Sequence, residues 1–141
     1  MSEFLMLGWN VAIPEVDIGD DIFVVQDDNG TLRRVQVKTS TSTIRKDSIS
    51  GQFSVSLKNL RNISNILVHY IFLIRVNDGW SKPILIRQDY LLDYFENKNV
   101  GSESKGNIIF YFSYKDDKVE CSKHDLTKYI RDFTDFPEIK L

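Results

Sequence analysis

Residues 66–74, ILVHYIFLI, form the longest apolar run in the chain. A membrane-spanning helix needs about 20 such residues, so this run is too short to cross a bilayer. Its apolar and aromatic content predicts a buried strand, and its continuation as ILVHYIFLIRV marks it as the centre of a sheet. Other segments then fall around it. WNVAI (9–13), DIFVVQ (21–26), TLRRVQVKTS (31–40), FSVSL (53–57), PILIR (83–87), IIFYFSY (108–114) and KVECS (118–122) read as strands. Residues 2–7 read as the last turns of a helix that Gly8 ends. QDYLLDYFEN (88–97) has helical spacing of Tyr90, Leu91, Tyr94 and Phe95. NLRNI (59–63) predicts a short helical turn, and HDLTKYIRDF (124–133) a C-terminal helix capped by Ser122 or Asp125. TSTIRKDSISGQ (41–52) and KNVGSESKGN (98–107) read as polar loops. The sum is one α+β domain over residues 1–141, a mixed β-sheet with flanking helices.

A chain of 141 residues, 42% hydrophobic and 27% charged, suits one compact domain with a sizeable core. The start, MSEFLMLGWN, carries no basic region and no small-residue cleavage site, and so reads as having no secretory signal. Cys121 is the only cysteine, which excludes an intrachain disulfide and a cysteine zinc site and fits a cytoplasmic protein. The net charge is −2, yet residues 31–61 hold Arg33, Arg34, Lys38, Arg45, Lys46, Lys58 and Arg61 against Asp47 alone. Such a basic zone on an acidic chain can attract phosphate.

The chemistry concentrates at residues 16–40, VDIGDDIFVVQDDNGTLRRVQVKTS. Asn29-Gly30 is a hairpin signal, because both residues tolerate the positive φ of a type I′ turn. A two-residue loop makes opposed residue numbers sum to 59 and sets Asp21 against Lys38. A four-residue loop makes them sum to 57 and sets Asp21 against Gln36. Side chains alternate along a strand, so in both registers Asp21 falls on the face of Gln36 and Lys38, with Val37 and Asp20 on the other. A bulge would overturn this. A carboxylate, an amide oxygen and an ammonium gathered in one patch suit a metal-dependent phosphodiesterase. The carboxylate is a hard ligand for Mg²⁺, the metal polarises phosphate and activates water, and the ammonium stabilises transition-state charge.

These residues resemble the PD-(D/E)XK nuclease superfamily, which includes restriction endonucleases and archaeal-type Holliday junction resolvases. GWNVAIPEVDIGDDI looks like its Gly-aromatic strand and Asp-x-Gly-x-Asp approach, filled by Asp17, Gly19 and Asp21; VQVKTS looks like its (D/E)-x-K motif. The resemblance covers about residues 8–40 and implies a restriction endonuclease-like fold. It implies Mg²⁺ or Mn²⁺ held by Asp21, Gln36 and the Val37 carbonyl, with Lys38 as catalytic lysine. DNA would be the partner, and a homodimer could cut two strands. Arg33, Arg34, Thr39, Ser40, Arg45, Lys46 and Lys58 would contact its backbone. Two features depart from the pattern. Gln36 stands where an acid is usual. The family's longer N-terminal helix with its glutamate has no match, since Glu3 sits too close to Gly8. The rival expectation is a degenerate, non-catalytic nuclease fold that binds nucleic acid or protein.

The remaining candidates read as structural. Glu15 reads as a loop acid, His69 as a core histidine and His124 as a residue at a helix start. Cys121 reads as a small buried residue, and Trp9 and Trp80 as packing residues. No phosphate-binding glycine loop, nucleophile elbow or HExxH is present.

Overall fold

The computed structural model describes residues 2–12, 22–26, 30, 32–63 and 66–138. Its helices are α1 (Ser2–Met6), α2 (Leu57–Arg61) and α3 (Gln88–Lys98). Its strands are β1 (Asn10–Ala12), β2 (Ile22–Gln26), β3 (Leu32–Thr41), β4 (Thr43–Ile44), β5 (Ile49–Ser56), β6 (Val68–Val76), β7 (Gly79–Trp80), β8 (Ile84–Arg87), β9 (Ser102–Ser104), β10 (Asn107–Lys115), β11 (Lys118–Cys121) and β12 (His124–Asp125). The class is α+β, as the sequence predicts. The strands form two sheets, one mixed and one antiparallel.

The first sheet runs β1-β2-β3-β6-β7, with β8 also on β6. β3 and β6 are parallel, and the other pairs are antiparallel. The apolar run thus lies mid-sheet, as its composition predicts. The second sheet runs β12-β11-β10-β5-β4, with β9 also on β10. The connection from β3 to β6 is not a simple crossover helix. It passes through β4 and β5 of the second sheet and then α2.

Alternation along the strands sets two cores. On β6, Tyr70, Phe72 and Ile74 face the second sheet, where Phe53, Val55, Ile108, Phe110 and Phe112 meet them. Phe72 packs edge-on to Phe53 at 5.0 Å and tilted on Phe112 at 4.9 Å between centroids. Each such pair contributes about 0.5–1.5 kcal/mol beyond area burial. The opposite face of the first sheet, with Val35, Ile71 and Leu85, is covered by Phe4 of α1, Trp9 and Phe136. Trp9 donates its indole N–H to the Pro137 carbonyl at 2.8 Å.

Two sequence expectations are corrected here. Residues 41–52 are not a polar loop but hold β4 and the first half of β5. Ile49, Gly51 and Phe53 pair with Tyr114, Phe112 and Phe110 of β10, and that ladder overrides the serines and the glycine. Residues 124–133 are not a helix. Asp125 does accept a bond from the Thr127 N–H at 2.8 Å, but only one 3-10 turn (Thr127–Tyr129) follows. Ile130 then bridges to Ile84, and Arg131 turns left-handed at φ 52°. The Asp125 bond closes a local turn, and the bridge from Ile130 to Ile84 takes the chain away before a helix can form.

Candidate functional site

β3 carries the candidate pair. Its parallel register sets Gln36 beside Tyr70 and Lys38 beside Phe72. Paired residues share a face, so Gln36 and Lys38 sit together on the side of the first sheet that faces the second. Gln36 is 5% exposed and Tyr70 is 1% exposed. Lys38 is half-buried. Val37 points the opposite way and packs on the Val35–Ile71 cluster. The face shared by Gln36 and Lys38 is therefore as expected.

The β2–β3 register differs from both expected ones. Ile22 opposes Gln36 and Gln26 opposes Leu32, so opposed numbers sum to 58. A slip of one residue moves every side chain to the other face. The shared face expected for Asp21, Gln36 and Lys38 therefore does not follow from the hairpin. Asp21 lies outside the described residues, as do Glu15, Asp17, Gly19 and Asp20. Among the described residues no group of three or more His, Cys, Asp or Glu side chains could hold a metal ion. The donors on β3 are an amide oxygen and strand carbonyls, all neutral. A hard divalent cation is usually bound through one or two carboxylates as well. The described residues alone do not fit Mg²⁺.

The basic residues do not form one surface. Arg33 and Arg34 are consecutive on β3 and point to opposite faces. Arg34 shares the side of Gln36 and Lys38. Ser40 also lies on that side, but its hydroxyl accepts from the Gln52 N–H at 3.1 Å and donates to the Thr41 carbonyl at 3.0 Å. It ties the two sheets together. Thr39 is exposed on the other side. Arg45 and Lys46 are exposed at the turn between β4 and β5, whereas Lys58 is exposed on α2 beyond the far end of β5. The strand between them spans about 24 Å.

Arg33 instead belongs to a cleft of about 550 Å³ lined by Leu32, Ile66, Leu67, His69, Arg87 and Asp135. Val35 pairs with His69 and His69 with Arg87, which lines up side chains of three neighbouring strands at one end of the sheet. His69 is buried, as expected, and its Nε2 lies 3.1 Å from Asp135 Oδ2. Its Nδ1 is buried with no hydrogen-bond partner among the described residues. Burial lowers the imidazole pKa below 6.5; the Asp135 bond and charge oppose this, and Arg33 and Arg87 reinforce it. Arg87 grips Asp89 through two bonds of 2.6 and 2.8 Å and stacks 4.4 Å over Tyr90. That grip raises the guanidinium pKa and lowers the carboxyl pKa. His69 and Asp135 stand 66 residues apart, so no local pattern reveals this cluster.

Of the structural readings, Cys121 is buried on β11, and burial raises its thiol pKa. His124 lies on β12 rather than at a helix start. Trp9 is buried as expected, but Trp80 is 55% exposed and is not a packing residue. No helix among the described residues is long and apolar enough to cross a membrane. Comparison with known proteins found no matching family model, no matching curated protein and no matching solved structure.

Proposed function

We propose that this chain is a DNA phosphodiesterase of the PD-(D/E)XK type. In this reading Asp21 and Gln36 hold Mg²⁺ or Mn²⁺, and Lys38 steadies charge on the phosphate. The observation that supports it is the polar pair on β3. A buried amide and a half-buried ammonium share the sheet face of Tyr70 and Phe72, between Arg34 and Ser40 of the same strand. Polar and ionisable groups drawn into a sheet interior depart from the apolar pattern of a core strand, and such departures concentrate at functional sites. The metal, when bound, would polarise the phosphate and activate water. Asp21 supplies the carboxylate that the described residues lack.

The test is incubation of the purified protein with plasmid, linear and branched DNA in Mg²⁺ or Mn²⁺. Cleavage is expected, and Asp21→Ala and Lys38→Ala are each expected to abolish it. Cleavage that persists unchanged in both variants removes these residues from the mechanism.

A second reading is favoured by the observed register, which sets Ile22 rather than Asp21 against Gln36. In it the fold is a non-catalytic module that binds nucleic acid or a protein. Salt-sensitive DNA binding without metal-dependent turnover is its expected signature.

A further inference from the structure

The end of the first sheet beyond Lys38 carries an aligned row of exposed groups. Thr41 of β3 pairs with Arg75 of β6, and Arg75 pairs with Trp80 of β7. Their side chains therefore lie on one face of three adjacent strands, and Thr39 joins them two residues earlier. All four residues are exposed. Trp80, 55% exposed, contrasts with Trp9, which is 2% exposed in the core.

The indole sits on an ordered support. Val76 pairs with Gly79, and Asn77 takes the left-handed turn conformation at φ 51°. Next to Trp80, Ser81 accepts from the Ile74 N–H at 3.0 Å through its hydroxyl. It returns a bond from its own N–H to the Ile74 carbonyl at 2.8 Å. A large apolar ring exposed this way contributes little to the core, yet the backbone that carries it is already fixed. The Arg75 guanidinium lies 6.0 Å from the ring centroid, at the outer limit of a cation–π contact. It remains placed to meet an anion beside whatever stacks on the ring.

We propose that single-stranded nucleic acid binds across the Thr41–Arg75–Trp80 row. An unpaired base stacks on Trp80, Arg75 takes the adjoining phosphate, and the Thr39 and Thr41 hydroxyls donate to its oxygens. The proposal rests on the reading of this chain as a nucleic-acid protein, but not on catalysis. Strand spacings place the Trp80 backbone about 14 Å from that of Lys38, on the opposite face at the same end of the sheet. Asp78, in the turn before Trp80, is the acid that opposes a phosphate here.

The experiment is titration of the full chain with oligothymidylate in EDTA, read by tryptophan fluorescence. Trp9 is buried and Trp80 is exposed, so stacking reports on Trp80. Saturable quenching is expected, weaker with a duplex. Trp80→Ala should weaken binding, followed by anisotropy of labelled oligonucleotide, by about tenfold or more. Arg75→Ala should reduce the salt slope by about one phosphate contact, and Asp78→Asn should tighten binding. All three exposed positions can be changed without opening a core, and an unchanged melting temperature verifies the fold. No saturable quenching, or Trp80→Ala binding as tightly as the parent, overturns the proposal. The two readings fail separately. Quenching without metal-dependent cleavage sinks the phosphodiesterase and leaves the platform; cleavage with unaltered Trp80→Ala binding does the reverse.

Discussion

The side-chain oxygen of Gln88 accepts the Val68 N–H at 3.1 Å, joining the first residue of α3 to the first residue of β6. The same amide's nitrogen lies within 3.0–3.2 Å of the carbonyls of Asn59, Leu60 and Asn62 at the end of α2. One 1%-exposed amide thus meets four backbone groups, one N–H and three carbonyls, where α2 ends and β6 begins. Gln88→Leu keeps the bulk and strands those groups. A loss of about 2–4 kcal/mol is expected, measured by urea unfolding. Gln88→Glu should be worse near neutral pH, because a carboxylate then faces three carbonyls.

Gly51 is where the two sheets touch. A Cβ built there would lie 2.8 Å from the Ile74 Cγ1 and 3.3 Å from the Ser40 Cβ. Gly51→Ala should therefore destabilise by about 1–3 kcal/mol through overpacking. Ile74→Ala alone should also destabilise, by leaving a cavity. Combined with Gly51→Ala it should cost less than the sum, because the two changes fill one space. Additivity in that double-mutant cycle would show that the contact is not the cause.

The His69 imidazole is held below its ordinary pKa of 6.5, mainly by burial. The unfolded chain takes up a proton near 6.5 while the folded chain resists it. The contribution of His69 is therefore fully present above about 6.5. It is lost as pH falls from there through the lower folded-state value. Urea midpoints measured from pH 7.5 to 5 should fall more steeply in the parent than in a His69→Gln variant. Equal slopes would acquit this residue.

Gln36 offers a test of the metal site that needs no substrate. Gln36→Glu places a carboxylate at a 5%-exposed position. Without metal that charge should lower the melting temperature. If Gln36 is a ligand, Mg²⁺ or Mn²⁺ should restore the loss and bind more tightly than to the parent. A melting temperature indifferent to both ions would take Gln36 out of the site.

The elements that the sequence displayed were those with a local signature. The apolar run of β6, the spacing of Leu91 and Tyr94 on α3 and the Asn29-Gly30 break between β2 and β3 are such cases. Register was not legible, because the hairpin signal fixes where the chain turns but not how many residues the loop consumes. Five residues separate Gln26 from Leu32, and that odd count undid the expected alignment. The serine-rich 41–52 segment became strand because β10 offered it a partner. The β6–β7 hairpin was missed, although Asn77-Asp78-Gly79 is its turn signal. The Asp135–His69 contact depends on tertiary folding alone.

The route from β3 to β6 through the second sheet has a kinetic meaning. Strands of the two layers alternate in chain order: the first layer takes β1–β3 and β6–β8, the second takes β4–β5 and β9–β12. No single cut yields either layer whole. The parallel pairing of β3 with β6 can close only after the intervening segment has gone out and returned. Such non-local closure is slow, because loop entropy is lost before contacts repay it. A ribosome releasing this chain would expose β3, edge bare, until β6 emerged to cover it.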